Sequence, residues 1–236
     1  MRKFVISDPT DRENPFEELS SANRLIYHGT HSMFCQSIEE KGFRFDSFIA
    51  TYGEYVRVIV DACNKLGIGP DGLACATGFV NKGYVYFSRF FRSARSYARN
   101  VGCERIDGAL RAASGFLRFV QDKHLVQRLV IEWERALKQQ SDPPTEQALA
   151  NLRNSELVRK LINEIVASQA ALLVATKRGY PVVYAVLADQ KWIDDIGPTT
   201  FRCLQEPFGG IRLPAVSTDR IVGRVDFTNG ISPESK

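Results

Sequence analysis

The chain has 236 residues, of which 44% are hydrophobic, 25% charged and 11% aromatic, and its formal net charge is +4. That length can bury a full core, and no apolar run is long enough to span a bilayer. The five cysteines (Cys35, Cys63, Cys75, Cys103 and Cys203) are scattered with no C-x-x-C pair, which argues against a disulfide scaffold or a zinc cluster and fits free thiols in the cytoplasm.

The start, Met1 to Ile6, lacks the apolar core of a signal peptide, and residues 1 to 23 read as a lead-in with turn signals at Asp8-Pro9 and Asn14-Pro15 and one helical turn at Phe16 to Leu19. Arg24 to Tyr27 reads as the first core strand, ending at His28-Gly29-Thr30. Met33, Phe34, Ser37 and Ile38 then recur at helical spacing, with Ser32 as N-cap and Gly42 as stop. A second helix is expected over Tyr52 to Leu66, and a loop over Asp71 to Lys82. Tyr84 to Ser88 favours a strand, and Phe91, Ala94, Arg95 and Ala98 mark the helix after it.

From Cys103 to about Thr176 the pattern is mostly helical, broken at Asp142-Pro143-Pro144; Leu129 to Trp133 fits a strand or a helix. Strands return at Pro181 to Leu187, Trp192 to Gly197, Thr199 to Cys203, Ile211 to Pro214 and Arg220 to Phe227. The order of elements predicts one α+β domain spanning 1–236, with a large helical insertion at about 103–176.

Two junctions carry the chemistry. An apolar strand stopping at His28-Gly29 sets an imidazole beside backbone that a ligand can approach closely, because glycine has no side chain in the way. The second, Tyr86-Phe87-Ser88, places one tyrosine at a strand end and another, Tyr97, on the helix that follows.

Read together, these junctions resemble the first two motifs of the ADP-ribosyltransferase superfamily, in its His-Tyr-Glu branch with diphtheria toxin and the poly(ADP-ribose) polymerases. Ile211-Arg212-Leu213-Pro214 followed by Asp219 to Gly223 resembles the paired C-terminal strands of many bacterial members. The resemblance implies a split β-sheet core and NAD+ as co-substrate. It implies that His28 bonds a ribose hydroxyl, that Gly29 offers its backbone to the nicotinamide carboxamide, and that Tyr86 and Tyr97 stack on the cationic ring. Thr30 or Ser88 would add a hydroxyl contact. No metal is expected at the site.

The family's glutamate is missing from its usual place, since Gly209, Gly210 and Ile211 stand at the start of the penultimate strand. The nearest carboxylate is Glu206. Either Glu206 stabilises the oxocarbenium-like ribose, or the acid is absent and the module is a degenerate NAD- or nucleic-acid-binding domain, or the glutamate has been substituted. The expected function is ADP-ribosyl transfer to a macromolecule, as a toxin or defence effector, with no membrane partner and an antitoxin protein as a candidate partner. Nucleic acid is favoured over protein as acceptor, because Arg89, Arg92, Arg95 and Arg99 interleave with Phe90 and Phe91 and could grip a phosphate backbone. His31, next to the first motif, reads as a surface histidine, and His124 lies in a helical stretch with no metal-ligand partner.

Overall fold

The computed structural model describes residues 1–8, 13–22, 24–44, 46–77, 84–100, 103–139, 143–194 and 210–228. In chain order the elements are β1 (Arg2–Ile6), α1 (Glu17–Ala22), β2 (Leu25–His31), α2 (Cys35–Lys41), β3 (Phe43–Arg44), α3 (Asp46–Lys65), α4 (Leu73–Thr77), β4 (Val85–Ser88) and α5 (Phe91–Asn100). There follow α6 (Glu104–Gln121), α7 (Lys123–Lys138), α8 (Pro143–Arg153), α9 (Ser155–Lys177), β5 (Pro181–Leu187), α10 (Gln190–Asp194), β6 (Gly210–Leu213), β7 (Ala215–Val216) and β8 (Ile221–Phe227). The architecture is α+β. Two compact units share the chain, one of Met1–Ile49, Asn81–Cys103 and Ala175–Lys236, the other of Ala50–Val80 and Glu104–Val174.

The first unit holds a six-stranded sheet in the order β1-β8-β5-β2-β4-β6, antiparallel except for the parallel pair β1/β8. Its centre is β5, where Val182 to Val186 are all fully buried. A continuous apolar run suits a strand covered on both faces, and alternation sorts its side chains. Val182, Tyr184 and Val186 join Ile26, Ile38, Phe43 and Phe87 on the α2 face. Val183 and Ala185 join Tyr27, Phe91, Ala94 and Phe16 on the α5 face. Gly42 ends α2 at φ 75°, where a Cβ would be strained.

The second unit is helical. Its interior includes Val56, Ile59 and Leu66 of α3 and the segment after it, Ile106 and Phe116 of α6, and Leu161 and Ile165 of α9. Small residues of α6, Ala109, Ala112 and Ala113, are wholly buried and let neighbouring helices approach closely.

Several expectations are corrected. Residues 2–6 are a strand that pairs with β8 in register from Arg2↔Gly223 to Ile6↔Phe227; its sequence looks like a tail because three of its five side chains are exposed and none is fully buried. The Asp71 to Lys82 stretch contains the short helix α4. Leu129 to Trp133 lies inside α7. Trp192 belongs to the helical turn α10, whereas 195–209, including the second expected strand there and Glu206, lie outside the described residues.

Candidate functional site

The first motif sits deeper in the sheet than its sequence suggests. β2 does not stop at His28 but runs to His31, and pairs with β5 along its whole length, including His28↔Tyr184, Gly29↔Val183 and Thr30↔Val182. On its other edge the strand behaves differently. Its ladder with β4 consists of the single pair Tyr27↔Ser88, and the backbone pairing is not continued beyond it. The His28 imidazole bridges this break in the pairing, with Nδ1 2.7 Å from the Tyr86 carbonyl oxygen.

A neutral imidazole facing a carbonyl must donate, so Nδ1 carries the proton and Nε2 is left as an acceptor. The ring packs against Phe43 (centroids 4.8 Å apart) and Phe87 (5.4 Å). Burial among these rings drives the pKa of His28 down from 6.5 to about 4, against the opposing pull of the Tyr86 hydrogen bond. The folded protein therefore keeps His28 neutral where the unfolded chain protonates it. Stability from this residue is complete above pH 6.5 and drains as the pH falls towards 4, by about 3 kcal/mol in all. Urea titrations between pH 7 and 4 should show this acid slope in the parent and a shallower one in His28→Gln; parallel slopes would refute it.

Gly29 is required by packing. A Cβ on it would lie 1.9 Å from the Ala94 carbonyl oxygen and 3.0 Å from the Ala98 nitrogen, so α5 rests directly on the backbone of β2 here. Thr30 is buried at the next position of the strand. The Ser88 hydroxyl is buried as well, and its oxygen accepts the Phe90 N–H at 3.0 Å, closing the turn from β4 into α5.

Tyr86 and Tyr97 are both half-buried. Phe87 points to the α2 face, so Tyr86, its neighbour on the strand, points to the α5 face. On α5, Arg95 lies over Phe227 of β8, with its guanidinium carbon 5.6 Å from the ring centroid. Tyr97 is two residues further, about 200° around the helix, which turns it to the opposite flank, towards β4. The two tyrosines thus lie on the α5 face of the sheet beside β4, whereas the His28 ring lies on the α2 face among Phe43 and Phe87 and reaches the second motif only through the Tyr86 carbonyl. Glu206 lies outside the described residues.

No protein-family model, curated protein or solved structure matches the chain. Site and function therefore rest on residues and geometry.

Among the described residues no cluster of histidine, cysteine, aspartate or glutamate could hold a metal ion, and no helix is long and apolar enough to cross a membrane. Cys35, Cys63, Cys75 and Cys103 are free thiols, with burial pushing Cys63 up to about 12. His31 is half-buried and structural: its Nδ1 accepts the Met33 N–H at 3.4 Å and caps the turn into α2, a part expected of Ser32. The Ser32 hydroxyl instead accepts the Tyr180 N–H at 2.9 Å.

One polar group was not anticipated. Behind His28 on the α2 face, in register with it through Tyr184, stands Arg224. Arg224 clasps Asp226 with two bonds (2.6 and 2.5 Å) and also donates to Glu39, which receives the Tyr184 hydroxyl at 3.3 Å and Lys3 at 3.3 Å. The signal for it was Arg224-x-Asp226, two charges on one face of an otherwise apolar strand.

Proposed function

We propose that the protein is an NAD+-dependent ADP-ribosyltransferase that releases nicotinamide and passes ADP-ribose to a macromolecular acceptor, with the junction of β2 and β4 that carries His28, Gly29 and Tyr86, and Tyr97 of α5 beside it, as its NAD+ site. The observation that carries this reading is the break in the β2/β4 pairing after Tyr27↔Ser88, where a neutral His28 bonds the Tyr86 carbonyl and so ties the two motifs together at one strand junction. A neutral Nε2 acceptor suits a ribose hydroxyl, which is a donor. Aromatic faces suit a cationic pyridinium, whose attraction to them grows as water is excluded. Gly29 and Thr30 would contribute backbone and wall, and the Ser88 hydroxyl acts through the turn that it holds. No step needs a metal. Glu206 is the proposed stabiliser of the oxocarbenium-like ribose as the glycosidic bond breaks.

A second reading, a non-catalytic nucleotide-binding module, is favoured by one specific feature. Residues Gly210–Leu213 of β6, where the resemblance places the acid, carry no carboxylate.

NAD+ titration followed by thermal unfolding separates these readings from a purely structural domain, since ligand at a hundred times its Kd adds about 2.7 kcal/mol of stability. Tyr86→Ala and Tyr97→Ala should each weaken NAD+ about tenfold or more. Nicotinamide release by the parent and its loss in Glu206→Gln would establish the enzyme and its acid. Binding without release selects the module, and absence of any NAD+ shift ends both.

A further inference from the structure

We propose that the exposed face of α5 and the turn before it, led by Arg89, Phe90 and Arg92, bind single-stranded nucleic acid. The adjacent phenylalanines are divided. Phe91 is buried against Tyr27 (5.7 Å between centroids) and Phe16 (6.2 Å), whereas Phe90 is 55% exposed. The arginines are divided in the same way. Arg95 is buried over Phe227, and Arg89 and Arg92 are exposed on either side of Phe90. Arg99 stands seven residues after Arg92, in the same row of the helix and about 10 Å along it, so Arg89, Arg92 and Arg99 offer three cations to a phosphate backbone.

β2, β4, α5 and β6 contain no aspartate or glutamate. Arg212 of β6 is exposed and lies opposite Tyr86 in register, hence on the α5 face. An outward aromatic ring between cations is the arrangement that stacks an unpaired base while guanidinium groups hold its backbone. A duplex offers no free base face to Phe90, and an acidic protein surface offers nothing that needs the ring. Phe90 stands in the turn that leads into α5, and Tyr97 lies about 10 Å further along that helix. Use of this surface to present an acceptor rests on the NAD+ reading; the binding itself does not.

The test is fluorescence anisotropy of a labelled twelve-nucleotide single strand with the full chain, from 50 to 200 mM salt and without NAD+. Binding should weaken about fifteenfold across that range if three phosphates are held. The pair Arg89→Glu/Arg92→Glu should lose tenfold or more, and Phe90→Ala about fivefold or more, with thermal midpoints unchanged because all three positions are exposed. The same charge reversal on α7, Arg128→Glu/Arg135→Glu, should alter binding less than twofold. The proposal is overturned by no binding at 50 mM salt, by equal losses in the α7 control, by equal affinity for a duplex with Phe90→Ala silent, or by a polyglutamate peptide that binds as tightly. Nucleic-acid binding with no NAD+ shift would uphold this surface and reject the transferase.

Discussion

Gly29→Ala is expected to destabilise the sheet unit by about 3 kcal/mol or more. The added methyl would sit 1.9 Å from the Ala94 carbonyl oxygen. That atom is helix backbone and cannot rotate aside as a side chain could. Relief requires α5 to lift from β2, and with it Phe91, Ala94 and Ala98, all buried against Tyr27 and Val183. Bending β2 instead would disturb its pairing with β5 on both sides of Gly29↔Val183. Well-packed interiors resist either response. Trp192 belongs to the sheet unit and Trp133 to the helical one, so urea unfolding followed by Trp192 fluorescence in a Trp133→Phe background reports the affected unit alone. A midpoint within error of the parent would show that α5 yields at no cost. It would return the reason for the glycine to a ligand.

That result also bears on what the sequence could disclose. His28-Gly29 was legible as a special position, and so was the helix after Tyr86-Phe87-Ser88, since apolar spacing is a local property. The reason for Gly29 was not legible, because it depends on a helix 65 to 69 residues away in the chain. The end of β2 was misplaced for a related reason: His28, Gly29 and Thr30 have poor strand preference, and pairing with the buried β5 overrides it. The strand at Arg2–Ile6 escaped notice because its register is set by β8, more than two hundred residues on. Within Leu129 to Trp133, β-branched residues allowed a strand, and the Asp122 carboxylate capping the N–H groups of His124 and Leu125 marks the helix that contains them. The candidate site was therefore legible as residue types, whereas the break in the β2/β4 pairing and the placing of His28 and the tyrosines on opposite faces are properties of the whole sheet.

Arg224→Met should cost about 3 to 5 kcal/mol, the loss typical when one partner of a buried ion pair is removed. The Arg224 side chain is 11% exposed and that of Asp226 10%. Its two bonds to Asp226 hold the guanidinium flat on β8, and its third arm reaches Glu39 of α2. With Lys3 on Glu39, the two cations balance the two carboxylates. Methionine fills the space but leaves both carboxylates without their shared partner, and Lys3, more than half exposed, supplies little in compensation. Burial pushes the Glu39 carboxyl up, but the Arg224 hydrogen bond and charge, with the bond and charge of Lys3, outweigh it and hold the group below its usual 4.5. Its contribution is thus present above pH 4.5 and lost as the pH falls through the lowered value. In Arg224→Met the larger downward pulls are gone and only those of Lys3 oppose burial, so the variant should gain less stability with rising pH than the parent does. The triple variant Arg224→Met/Asp226→Asn/Glu39→Gln removes the stranded charges and should recover most of the loss. Chemical unfolding of the three proteins at pH 4 and pH 7 decides it. If Arg224→Met alone is neutral at pH 7, the cluster on the sheet behind His28 is not held together by this arginine.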